Sequence, residues 1–143
     1  MHNSSGRRGR SAHIPDLSSP QEQKRLSASG LNAFFLIVEH WNLTGEETLL
    51  LLGEATAESL QEMKHNPETQ TLNTDQMYRI SYLIGVYKAL NIANSADLAN
   101  DWVRLPNTGV IFGGVSPLEY MIKGGIPAMR TVRRLLDARV QGR

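Results

Sequence analysis

Between Asn73 and Leu90 the apolar residues Met77, Ile80, Leu83, Ile84, Tyr87 and Leu90 recur three and four positions apart, the spacing that builds one face of a helix. Asn73 or Thr74 can cap it, because a short polar side chain there accepts from the unpaired amides of the first turn. The pattern predicts the longest helix of the chain, over about residues 74–90. So long an apolar stripe exceeds what either flanking half could cover alone. The segment is therefore expected to be a core element shared by both.

The flanking segments read the same way. Leu31, Phe34, Phe35, Val38 and Trp41 repeat at helical spacing until Asn42-Leu43 breaks the run. Thr44-Gly45-Glu46-Glu47 matches a capping box, and its helix runs through residues 49–52 to Gly53. Thr56 caps a third helix reaching about His65, with Leu60 and Met63 facing inward; Asn66-Pro67 ends it, since the residue before proline avoids the helical region. Ser95 or Asn94 opens a short helix through Trp102 and Arg104, followed by a loop over residues 105–115. Ser116-Pro117-Leu118-Glu119 is the strongest helix start in the chain: a capping serine, proline at the first helical position and glutamate three after the cap. Gly124-Gly125 ends that helix, and Pro127 starts the last, with Met129, Val132, Leu135, Leu136 and Val140 on one side. Every segment with a clear period is helical, so the expected fold class is all-α. Residues 1–28, rich in Ser, Gly, Arg, Gln and Pro, show no apolar face and read as a mobile basic tail with one helical turn near residues 21–26.

Composition narrows the function classes. A chain of 143 residues fits one ordinary domain or two small ones, and needs no metal or disulfide to hold its core. It contains no cysteine, which excludes disulfides, thiolate metal sites and a thiol nucleophile. The longest apolar run, Leu49-Leu50-Leu51-Leu52, is far short of the roughly 20 residues of a membrane helix. No hydrophobic block follows Arg7, Arg8 and Arg10, so no secretory signal is expected; the expectation is a cytoplasmic protein without membrane partners.

Charge is unevenly spread. Residues 1–30 and 91–143 each carry a net +3, whereas residues 31–90 carry −5. Three short helices with a glycine after the second suggest a helix-turn-helix, equally well read as a plain helical bundle. A groove-reading helix needs Arg, Lys, Asn or Gln toward the bases. The third helix offers Gln61 and Lys64, but with Glu58 and Glu62 beside them. Specific DNA affinity from so acidic a unit is expected to be poor, so a degenerate helix-turn-helix fits better, with any operator contact drawn from Gln61, Lys64 and the tail residues Arg7, Arg8 and Arg10.

No active site assembles. His40 reads as a helix-end histidine, His65 lies where no metal-ligand spacing exists, and His2 and His13 fall in the tail. Gly113-Gly114 precedes a helix but lacks the lysine and hydroxyl residue of a phosphate-binding loop, so a turn is the better reading. The chain is expected not to be an enzyme, with no metal and no cofactor. The last helix instead carries Arg130, Arg133, Arg134 and Arg139, and Arg143 closes the sequence. Either these form a solvated face with cations favourably placed near a helix C-terminus, or they meet acidic groups on a partner.

The order Trp102-Val103-Arg104-Leu105-Pro106-Asn107, then Phe112-Gly113-Gly114-Val115-Ser116-Pro117-Leu118-Glu119, a Gly-Gly break, and Val132-Arg133-Arg134-Leu135-Leu136-Asp137-Ala138 resembles the toxin-binding domain of the Xre/MbcA/ParS antitoxin family. Arg79-Ile80-Ser81 and Gly85-Val86-Tyr87-Lys88-Ala89-Leu90 are similar to the helix such proteins place before it, and residues 43–60 to their Xre-type helix-turn-helix. The resemblance implies a type II antitoxin, dimeric or in a hetero-oligomer with its toxin. The toxin would be of the RES-domain class, which consumes NAD or transfers ADP-ribose, and many such antitoxins also repress their own operon. The implied organisation is a basic tail (1–28), an Xre-like helix-turn-helix region (29–71) and a toxin-binding domain (72–143). Trp102, Pro106, Asn107, Phe112, Gly113, Gly114, Ser116 and Pro117 are then expected to shape the binding surface, and Arg130, Arg133, Arg134, Arg139 and Arg143 to contact the toxin. A helix-turn-helix transcription regulator without a toxin partner is the alternative.

Overall fold

The computed structural model describes residues 14–142. Its helices are α1 (Pro20–His40), α2 (Gly45–Leu52), α3 (Ala57–His65), α4 (Thr74–Ala93), α5 (Ala96–Trp102) and α6 (Pro117–Gln141), with a 3-10 turn at Pro67–Thr69 between α3 and α4. Among the described residues there is no strand, and the fold is all-α.

The first helix corrects the expected limit of the tail. It begins at Pro20, not after residue 28. The reason is written in Ser19-Pro20-Gln21-Glu22, which repeats the start signal of Ser116-Pro117-Leu118-Glu119: the Ser19 hydroxyl accepts from the Glu22 amide, and proline occupies the first turn. Ser27, inside the supposed tail, is buried. Its hydroxyl donates to the Gln23 carbonyl and accepts from the Leu72 amide at 2.9 Å, so a polar residue sits in the core without an unmet hydrogen bond. The Gln23 side-chain amide adds a 2.7 Å bond to the Thr74 hydroxyl, tying α1 to the start of α4. Residues 1–13, with Arg7, Arg8, Arg10, His2 and His13, lie outside the described residues.

Local chemistry sets the remaining boundaries. Trp41 caps the end of α1, and Asn42 turns the chain with φ 54, a left-handed conformation that asparagine tolerates better than most residues. Reciprocal capping boxes start α2 (Thr44 with Glu47), α3 (Thr56 with Ser59) and α4 (Asn73 with Gln76). Helix α6 is two helical segments joined at Gly125, whose φ of 65 and ψ of −147 break the helix. That conformation is open essentially only to glycine. Pro127 lies in the first turn of the second segment, where its missing N–H costs nothing.

Helix α4 packs against α6 on one side and α1 on the other. Leu83, Val86 and Leu90 of α4 belong to a single buried cluster that takes Leu31, Phe34 and Trp41 from the α1 region, Leu51 and Leu52 from α2, and Met121, Met129 and Val132 from α6. Met77, Ile80, Leu83 and Leu90 of the expected stripe thus lie in one core spanning both halves, with Val86 added to them and Ile84 and Tyr87 only partly buried at its edge. Two arginines hold α2 in this frame. Arg79 of α4 pairs with Asp75 at 2.7 Å and donates to the Leu50 and Leu51 carbonyls at the C-terminal end of α2. Arg104 donates to the Trp41 and Asn42 carbonyls, both at 2.8 Å, and pairs with Glu47 at the N-terminal end of α2 at 2.5 Å.

Candidate functional site

The loop between α5 and α6 is closed on itself. The Asn107 amide donates to the Val115 carbonyl at 3.1 Å and the Gly114 amide donates back to the Asn107 carbonyl at 2.9 Å, which joins the two ends of the loop. The Asn107 side-chain oxygen accepts from the Gly109 amide at 2.8 Å, a local turn for which asparagine is suited. Gly113 and Gly114 follow with φ of 62 and 98, values that L side chains resist. Phe112 is buried, with its ring edge-to-face against Trp102 at 5.8 Å and Tyr120 at 5.3 Å, arrangements that add to the stabilisation from burial alone. Ser116 caps α6, Pro117 is buried in its first turn, and the Leu118 amide donates to the Val103 carbonyl at 2.8 Å. Trp102, Asn107, Phe112, Gly113, Gly114, Ser116 and Pro117 thus all act within one small folded loop, whereas Pro106 is exposed at its edge.

The arginines of α6 do not form one face. At about 100° per residue, Arg130, Arg133 and Arg134 share a side of the helix, and Arg139 points roughly opposite to Arg130. Arg130 donates to the Tyr82 hydroxyl at 3.0 Å and lies over its ring. Arg133 crosses α4 at Gly85, where a Cβ would come within 2.5 Å of it, and is 3.6 Å from Asp137. It lines an apolar groove of about 360 Å³ between α1 and α4 with Leu26, Ile80, Ile84 and Lys88. Arg134 is exposed. Arg139 borders a recess of about 230 Å³ formed with Gly109, Val110, Ile111, Phe112 and Leu135. Arg143 lies outside the described residues. Gln61 and Lys64 are exposed on α3 together with Glu58 and Glu62, so no uncompensated basic face forms there.

Sequence reasoning gave no role to Arg79, Arg104, Val110 or Ile111. The breaks at Asn42 and Gly53 do announce helix ends whose carbonyls need donors, but not which residue supplies them. The Glu47 carboxyl shows what the Arg104 bridge does. Partial burial pushes it up, yet the Thr44 amide and the Arg104 guanidinium outweigh this and hold it below the usual carboxylate range.

Among the described residues, no helix is long and apolar enough to cross a membrane. No solved structure matches the chain. Over 126 residues, 87% of this chain and 95% of the relative, it is 32% identical to "Uncharacterized protein y4oB" of Sinorhizobium fredii (strain NBRC 101917 / NGR234). Residues 88–142, which take in the end of α4, the closed loop and α6, match the family described as the antitoxin Xre/MbcA/ParS C-terminal toxin-binding domain. The chain therefore belongs to one family with the y4oB protein and carries, in its C-terminal part, the toxin-binding domain of the Xre/MbcA/ParS antitoxins.

Proposed function

We propose that this protein is the antitoxin of a type II toxin–antitoxin pair and that its partner is a RES-domain toxin, which consumes NAD or transfers ADP-ribose. The observation that carries the reading is the toxin-binding domain match, whose residues include the closed loop and every arginine of α6. In this reading residues 72–143 dock over the entrance of the toxin's active site. A cleft that holds a dinucleotide presents positive groups to its phosphates, so the side of α6 that carries Arg130, Arg133 and Arg134 engages an acidic rim beside it. The body of the helix supplies the cover. Arg134, exposed and without an ion pair among the described residues, fits such a rim contact.

The test is co-expression with the product of the neighbouring reading frame, followed by size exclusion and an assay of cellular NAD. Co-elution with protection of NAD supports the reading. Separate elution, with NAD lost in the presence of both proteins, overturns it. The same protein can repress its own operon if the 29–71 region and the tail act as an operator-binding unit. In that role the tail would have to supply most of the phosphate contacts, since Glu58 and Glu62 are exposed beside Gln61 and Lys64 on α3.

A further inference from the structure

The closed loop presents an apolar tip. Val110 is 101% exposed and Ile111 37%, whereas the aromatic residue of the loop, Phe112, is packed at 4%. Surface turns ordinarily end in polar or small residues, and an exposed aliphatic residue on its own means little. Here the display is organised. The ends of the loop are hydrogen-bonded together, Asn107 fixes the turn, and the Phe112 and Gly113 amides both donate to the Gly109 carbonyl, at 3.0 and 3.1 Å. The aromatic contacts of Phe112 anchor the tip from below. Such a tip loses little conformational freedom when it docks, so more of its burial remains as binding free energy.

Val110, Ile111 and Arg139 all lie within the segment that matches a toxin-binding domain, which makes the toxin the occupant, and charge describes the surface it must offer. Arg139 stands beside Val110 and Ile111 across the recess, and among the described residues it forms no ion pair. Among the described residues, the patch is therefore an aliphatic projection flanked by a guanidinium with no carboxylate partner. A surface complementary to it has an apolar hollow sized for a branched aliphatic pair, with a carboxylate at the edge facing Arg139.

We infer that Val110 and Ile111 are the apolar anchor by which this protein grips its toxin, inserting into an apolar hollow whose rim carboxylate pairs with Arg139. This rests on the antitoxin reading and goes beyond it, because it places the affinity in the loop tip and leaves the Arg133 and Arg134 side of α6 to orient the encounter. Truncating an anchor seated in a desolvated hollow costs far more than removing a rim contact.

The test uses the full chain and the RES-domain product of the neighbouring reading frame as probe. The affinity of the parent is compared with that of Val110→Asp/Ile111→Asp and of Arg139→Glu, after thermal melting has established that each variant is folded. The expected result is roughly 30-fold or greater weakening by the tip variant, and a smaller loss from Arg139→Glu. A tip variant that binds as well as the parent overturns the anchor while leaving the antitoxin reading intact. Failure of the parent itself to bind overturns both. The protein alone is also run on size exclusion over a dilution series. If the parent self-associates and the tip variant does not, the hollow belongs to a second copy of this chain, and the inference fails in that way instead.

Discussion

Arg79 and Arg104 hold opposite ends of α2: Arg79 meets the Leu50 and Leu51 carbonyls at its C-terminus, while Arg104 meets Glu47 in its first turn. Neither guanidinium belongs to the helix it steadies. One comes from α4 and the other from the residues that open the closed loop, so the position of the second helix of the N-terminal half is set by the C-terminal half.

Replacing Arg104 with Ala removes two donors to helix-end carbonyls and the partner of Glu47. Because both side chains of the pair are partly exposed, solvent screening limits the cost to about 1–2 kcal/mol, read by chemical denaturation near neutral pH. The pH dependence has a defined sign. The Glu47 carboxyl is depressed in the folded protein, so its stabilisation is complete above the ordinary carboxylate pKa and disappears as the pH falls through the lower folded value. The stability gap between parent and Arg104→Ala should therefore narrow as the pH drops below about 4.

Gly125 is the hinge of α6. Its φ of 65 with ψ of −147 lies in a region that side chains resist, and Gly125→Ala should destabilise the protein by about 1–3 kcal/mol. Gly45, with open space around its Cβ position and no positive φ, serves as the control. Gly45→Ala should change the melting temperature little.

One core predicts one transition. Leu83 is fully buried at the centre of the cluster, and an aspartate there would be a buried charge without a partner. Leu83→Asp should cost about 4 kcal/mol or more and remove cooperative unfolding of the whole chain, as followed by circular dichroism and by Trp41 and Trp102 fluorescence together. If half of the helical signal still melted cooperatively, the two halves would be separate folding units.

The α6 arginines can be tested directly. Arg133→Glu with Arg134→Glu should leave the fold in place, at a local cost of about a few tenths of a kcal/mol, because the first change sets a carboxylate against Asp137 one turn on. Binding to the proposed toxin should fall about tenfold, mostly through a slower association rate that becomes less sensitive to salt.

Operator binding, if α3 and the tail supply it, should depend on the tail. Deletion of residues 1–13 removes Arg7, Arg8 and Arg10 and leaves α1 whole. The slope of affinity against salt should then fall by about 2–3. Deleting through residue 28 would instead remove the Ser27 bridge to Leu72, and any loss of binding would report unfolding.

The helical architecture was legible because helix starts are local. Thr44, Thr56, Asn73 and Ser116 each carry their capping partner within three residues, and a reader of the chain can find every one. Ser19 obeys the same rule, and only the polar composition around it hid the start of α1. What bound to what at long range was not legible. Arg104 sits 57 positions from Glu47 and Arg130 48 from Tyr82, and no period or spacing announces such pairs. The closed loop was half legible. Its glycines, Asn107 and aromatics signal a turn, whereas the outward aim of Val110 depends on Phe112 finding its place between Trp102 and Tyr120.

The match to the toxin-binding domain begins at residue 88, inside α4, five residues before that helix ends. A fragment cut there would keep Met129 and Val132 but lose Ile80, Leu83 and Val86, the wall of the core on the far side. The matched segment and the packed core it belongs to are thus different lengths of chain. A cut at the Asn73 cap instead keeps the whole of α4 against α6, so the shortest piece that retains this wall starts fifteen residues before the match does.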